Sequence, residues 1–251
     1  MKLPRAITAV LAAYLIVLSI SVTWYCLYAS ASSPEPVTRP GNIVLISWDG
    51  VQRDHFYELL RKDALPNVAA LSAEGSLVNV TITDHTTDTK AGHSEMLTGY
   101  GPEITGVFNN RNYSPIPEGY TIFERAESAF GTGAIVTMMV TGKTHHVGGE
   151  EGEPFYNARF ALDVFDSNAA SADVIGPKTI NYLNYYVGSS FFAFFHFSDP
   201  DSSGHVFGEN SREYERAIIA CDLWLGRIIE TLKHGQVYGS TAILVNVRPR
   251  F

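Results

Sequence analysis

The stretch "FFAFFHFSDPDSSGH", Phe191 to His205, decides the fold. Its first half is a continuous apolar run too short for a membrane span and without the polar alternation of a half-wet strand. Such a run suits a strand buried on both faces, as in a parallel sheet covered by helices on either side. Its second half reverses character at once, with Asp199, Asp201 and His205 crowded just past the run. In open α/β sheets ligands collect beyond the carboxyl ends of the strands, so this reversal marks a candidate site.

Outward from that stretch the same alternation recurs. "NIVLISW" from Asn42, "SLVNVTIT" from Ser76, "GAIVTMMVT" from Gly133 and "STAILVNV" from Ser240 read as further strands. Between them lie helical patterns: 51–61, the Pro-started and Gly-ended "PNVAALSAEG", 121–130 and 177–187. A long helix to about Lys233 opens on a capping box expected from Asn210 and Glu213. The expectation is an α/β fold, mainly a parallel sheet sandwiched by helices.

The strand-end rule selects two more places. Asp49 follows "NIVLIS", and the loop from Asp84 to Gly92 follows "SLVNVTIT". An isolated Asp after a strand is usually a turn or cap residue. Carboxylates, a histidine and hydroxyls at three strand ends form a donor set suited to hard or borderline metal ions.

Composition sets the frame. The 251 residues are 45% hydrophobic and 18% charged, ordinary for one large globular domain, and the net charge of −8 argues against a nucleic-acid polymer as partner. Cys26 and Cys221 are the two cysteines, the first in an apolar segment, which argues against a disulfide between them. Residues 6–28 hold no charge over 23 positions behind Lys2 and Arg5, long enough to cross a ~30 Å hydrocarbon core. Residues 1–31 therefore read as a signal anchor, or as a signal peptide cut after Ala29-Ser30-Ala31. Either places the rest outside the cytoplasm, membrane-anchored or secreted; the sequons at Asn79 and Asn112 agree with that compartment. Residues 32–41 are a Pro-rich linker, and 42–251 form the folded domain.

Taken together, "SWDGV", "TTDTKAGHSEMLTGYGPEITGVFNN" and "SDPDSSGHVFG" resemble the alkaline phosphatase superfamily, most closely its type I phosphodiesterase/nucleotide pyrophosphatase branch, from Asn42 to about Val245. The resemblance implies a metal-dependent phosphoester hydrolase with a small phosphorylated substrate and two divalent ions, zinc being the first choice. It makes Thr89 the nucleophile, Asp49 and Thr89 ligands of one ion, Asp201 and His205 ligands of the other, and Asn110 the amide that holds a phosphoryl oxygen. A threonine hydroxyl is a weak nucleophile at neutral pH and needs a cation beside it. At the start of a helix over 92–97, Thr89 would also lie where backbone N–H groups and the helix dipole favour a phosphate.

Two features depart from the family pattern. Lys90, Ala91 and Gly92 stand where relatives commonly carry an aromatic, a proline and an asparagine; Lys90 as a substrate contact would suit a phosphomonoester, so diester and monoester hydrolysis both stay open. After "STAILV" the family continues to an Asp-His pair and a later His, whereas this chain reads "NVRPRF". The resemblance thus implies a C-terminal part missing, and an inactive remnant stands as the other reading. His93 is expected to support the site without ligating. Asp222 is expected to be hydrogen-bonded in the core. His145 and His146 are expected in a loop. The phosphate-loop pattern ending at Lys143 lacks its first glycine, because Thr137 stands there.

Overall fold

A computed structural model describes residues 41–82, 85 and 87–247. The apolar segment 6–28, Cys26, nearly all of the linker, and Asp84 lie outside the described residues. Among the described residues no helix is long and apolar enough to cross a membrane.

Five strands, β1 (Asn42–Trp48), β2 (Val136–Thr141), β3 (Val164–Ser167), β4 (Phe191–Phe197) and β5 (Thr241–Val247), form one sheet in the order β3-β2-β4-β1-β5. Every pairing is parallel. β4 lies at the centre with all seven residues buried, which is why its sequence shows no alternation.

Register assigns each side chain a face. Val44 pairs with Ala193, Ile46 with Phe195 and Trp48 with Phe197, and these join Met138 and Val140 in one core. That face is covered by α1 (Arg53–Arg61), α2 (Pro66–Glu74), α7 (Ala172–Tyr186) and α9 (Arg212–His234), through Phe56, Leu59, Val68, Ile175, Leu183, Ile218 and Leu225. The alternate residues Met139, Phe192 and Phe194 build a second core under α3 (Thr89–Thr98), α5 (Ile122–Phe130) and α6 (Thr144–Val147), with Leu97, Phe123 and Val147. Period-2 geometry divides one apolar strand between two cores, and a one-residue slip would exchange them. The remaining helices are α4 (Pro102–Thr105) and α8 (Asp199–Phe207).

Some elements depart from the sequence reading. No strand forms over 76–82; Leu77, Val78 and Val80 lie exposed there. β propensity expresses a preference, but a ladder needs a neighbour, and 76–82 pairs with no strand among the described residues. The long helix α9 is capped by Ser211, whose Oγ accepts the Tyr214 N–H, while Asn210 contacts His55 through its side chain; the Asn210–Glu213 capping box does not form. α7 starts five residues before Pro177, because the Asp199 carboxylate accepts the Ala172 N–H at 2.7 Å. Burial pushes the Asp199 carboxyl upward despite that N–H. β3 and α8 lie in segments to which the sequence reading assigns no element.

Candidate active site at the carboxyl edge of the sheet

Asp49 follows β1 directly, and its N–H still donates to Phe197 O of β4 at 3.0 Å. The chain then turns at Gly50 with φ +75, and a Cβ there would lie 2.5 Å from Asp201 Cα. Only glycine permits both the left-handed backbone and this approach, so the turn that presents Asp49 also brings it against Asp201. Tyr214, fully buried in α9, fixes that turn by donating to Gly50 O and accepting the Gln52 N–H.

Thr89 is the first residue of α3, and its Oγ1 donates to Asp49 Oδ2 at 3.3 Å. One turn on, His93 Nδ1 lies 2.7 Å from Thr89 O and Nε2 lies 2.9 Å from Ser47 Oγ. A carbonyl only accepts, so Nδ1 carries the proton and Nε2 accepts from Ser47 in the neutral ring. His93 thus fastens the first turn of α3 to the end of β1. The Lys90 N–H donates to Asn110 Oδ1 at 3.0 Å, which places that amide at the same helix start.

Asp201 and His205 lie one turn apart on α8, with His205 Nε2 3.6 Å from Asp201 Oδ2. The sequence-derived set Asp49, Thr89, Asp201, His205 and Asn110 is therefore brought together around the ends of β1 and β4. Lys90 behaves differently. Its side chain is buried, its Nζ is 2.5 Å from Glu153 Oε2 and it lies over the Tyr113 ring at 3.3 Å. The ammonium is neutralised there, and Lys90 reaches the site through its main chain.

Two residues that sequence reasoning missed complete the cluster. Lys143, just past β2, places Nζ 2.6 Å from Asp49 Oδ2, 2.6 Å from Asp201 Oδ2 and 3.4 Å from Thr89 Oγ1. The strand-end rule could have found it, since "VTGK" closes β2 as "SWD" closes β1. His196, in β4 and fully buried, has neither ring nitrogen in a hydrogen bond, and its Nε2 is 3.7 Å from Asp49 Oδ2. Its place inside an apolar strand hid it. Burial would raise the Asp49 carboxyl, but His196 and the Lys143 charge hold it well below the usual carboxylate range.

This donor set fits divalent ions. Asp49, His93 and His196 offer ligand atoms within 4.8 Å of one another, and the orphaned His196 nitrogens lie deep in the polar cluster. Asp49, Thr89, Asp201 and His205 add oxygen and imidazole donors of the type zinc accepts. His145 and His146 lie on the short helix α6 in place of the expected loop; His145 is exposed and paired with Glu150, whereas half-buried His146 is pushed down by burial and by the Lys143 and Lys90 charges. Asp222 is a core residue, as expected: its carboxylate accepts Asn67 and Val68 N–H groups at the start of α2.

A parallel sheet here presents the Thr89 hydroxyl, at a helix start, beside Asp49 at its carboxyl edge. Residues 43–246 match the family of type I phosphodiesterases/nucleotide pyrophosphatases, and the chain belongs to that family. It is 23% identical over 207 residues to bis(5'-adenosyl)-triphosphatase ENPP4 of Pongo abelii and 22% identical over 202 residues to the Homo sapiens protein. Each alignment covers 77% of this chain and 44% of the relative, so the chain spans less than half the length of these curated relatives. Murine ectonucleotide pyrophosphatase/phosphodiesterase 5, solved as an inactive variant in complex with AMP, shares the fold with a TM-score of 0.59 at 18% identity, over 82% of this chain and 56% of that one.

Proposed function

We propose that the protein hydrolyses phosphoesters of a small, nucleotide-like substrate through Thr89, with two divalent ions, zinc by preference, held by Asp49, Thr89, Asp201 and His205. The observation that carries this reading is the convergence of Thr89 Oγ1, Asp49 and Asp201 at the first turn of α3. Family membership and the AMP complex of the murine neighbour support the substrate class. Bound cations would lower the pKa of the threonine hydroxyl and offset charge on the phosphoryl oxygens.

The chain's own groups do the rest. Asp49 accepts the Thr89 hydroxyl and orients its oxygen toward the helix mouth. The first-turn N–H groups of α3 and the Asn110 amide face the incoming phosphoryl oxygens. Thr89 attacks phosphorus, its O–P bond forms as the bond to the leaving oxygen breaks, and the hydroxyl proton passes to the leaving group or solvent. Water then cleaves the phosphothreonine and restores the hydroxyl. His93 keeps Thr89 at the start of α3 throughout. Because the Lys90 ammonium is engaged by Glu153, a diester fits this arrangement at least as well as a monoester. We place the domain outside the cytoplasm, tethered by residues 6–28 or released by cleavage.

The test is turnover of chromogenic phosphodiesters, phosphomonoesters and dinucleoside polyphosphates with added zinc. Thr89→Ala should abolish it and Thr89→Ser should retain part of it. AMP binding without turnover by the wild-type chain would refute the catalytic reading in favour of a binding role.

A further inference from the structure

The ammonium of Lys143 meets three oxygens, each from a different element: Asp49 after β1, Thr89 at the start of α3 and Asp201 on α8. Those three belong to the proposed ligand set, so one protein-borne cation satisfies the groups proposed to receive divalent ions. The Asp49 and Asp201 side chains are only 4% and 9% exposed. Two carboxylates so close and so buried require a positive partner, because an uncompensated buried charge costs several kcal/mol. Lys143 supplies that partner.

The same place cannot hold both cations. An ion on Asp49 Oδ2 or on Asp201 Oδ2 would lie about 2.0–2.2 Å from that oxygen and would compete for it with Nζ, which is 2.6 Å from both. The main chain offers no retreat: a Cβ on Gly142 would lie 2.8 Å from Ala170 O and 2.9 Å from Ser198 Oγ, so the strand end is packed tight. The side chain does, since Lys143 is 19% exposed and its four-carbon stem is flexible.

We propose that Lys143 is a tethered counter-ion that keeps the metal cradle assembled when empty, and that a divalent ion must displace it to bind, so that this lysine sets the metal concentration at which the site loads. The proposal rests on the metal-hydrolase reading above. Its test is zinc and manganese affinity of the full chain, measured by competition with a chromophoric chelator, for wild type, Lys143→Met and Lys143→Arg, with metal-free melting followed by circular dichroism. Lys143→Met should bind zinc about tenfold or more tighter, melt lower without metal and gain more from zinc than wild type. Lys143→Arg, which keeps the charge, should bind zinc no tighter than wild type. If Lys143→Met does not fold, Lys143→Gln takes its place, with neutral donors on a similar stem. Equal or weaker zinc affinity in the neutral variants would overturn the proposal while leaving the hydrolase reading intact. Absence of metal binding in every form would overturn both.

Discussion

Replacing Asp222 with alanine should destabilise the fold strongly from a position in the core. Helix α2 begins after Leu65, which has no side-chain acceptor for its own helix, and Pro66 follows. The missing cap comes from 155 residues away. Asp222 on α9, 1% exposed, accepts the Asn67 N–H at 3.1 Å, the Val68 N–H at 2.8 Å and the Asn67 side-chain amide at 2.9 Å. Gly226, one turn on, leaves room for Asn67, since a Cβ there would meet its Oδ1 at 2.6 Å. Each buried donor stranded by Asp222→Ala costs about 1–3 kcal/mol, and half-exposed Asn67 recovers part through water, so the expected loss is about 3–4 kcal/mol. Asp222→Asn keeps one acceptor but turns an NH2 toward the remaining donors, for a loss of about 1–3 kcal/mol. Urea unfolding of the full chain, followed by circular dichroism, reads both as lower midpoints at constant slope. If Asp222→Ala falls within about 1 kcal/mol of wild type, solvent caps α2 and this reasoning fails.

Gly50→Ala should cost about 2–4 kcal/mol, from left-handed strain plus the collision with Asp201, and should weaken zinc binding by parting Asp49 from Asp201; unfolding and chelator competition check the two effects separately. Exchanging the charges of the Lys90–Glu153 pair, as Lys90→Glu with Glu153→Lys, should restore stability lost in either single variant, and its double-mutant cycle should show coupling above about 1 kcal/mol; additive losses would mean the clamp is mere proximity. The folded-state Asp49 carboxyl lies below its unfolded value, so its contribution to stability is fully present above the unfolded pKa and disappears as pH falls through the folded one. In metal-free protein, Asp49→Asn should therefore flatten the acid limb of stability below about pH 4, and an unchanged limb would assign it to other carboxylates.

What the sequence disclosed followed from local pattern. The β4 run and the polar residues directly beyond it announce a buried central strand and a strand-end site, because burial on two faces and topology act on contiguous residues. Thr89, Asp49, Asp201, His205 and Asn110 were legible together through their resemblance to one family. Contacts between distant segments were not. The Asp199 cap of α7 spans 27 residues, and nothing near Ala172 signals it. The 76–82 stretch has strand-forming residues but pairs with no strand of the sheet. Lys143 was weighed as a phosphate loop and set aside correctly for that motif, yet its role depends on three strands ending side by side. Lys90, adjacent to the nucleophile in sequence, is directed elsewhere by Glu153 and Tyr113.

The strand order also dictates a schedule. Among the described residues β1 is the first strand, and its partners are β4 and β5, so Asn42 waits for Thr241. At roughly 5–20 residues per second, the ~150 residues between β1 and β4 take on the order of 10–30 s to synthesise. Through that interval "NIVLISW" exposes both edges of an apolar strand with no native neighbour made. Contacts of such long sequence separation are slow to close even in the finished chain. The nascent polypeptide therefore carries an unpaired apolar strand well ahead of its partners, and yield during biosynthesis will depend on how well that strand is shielded until residue 247 has emerged.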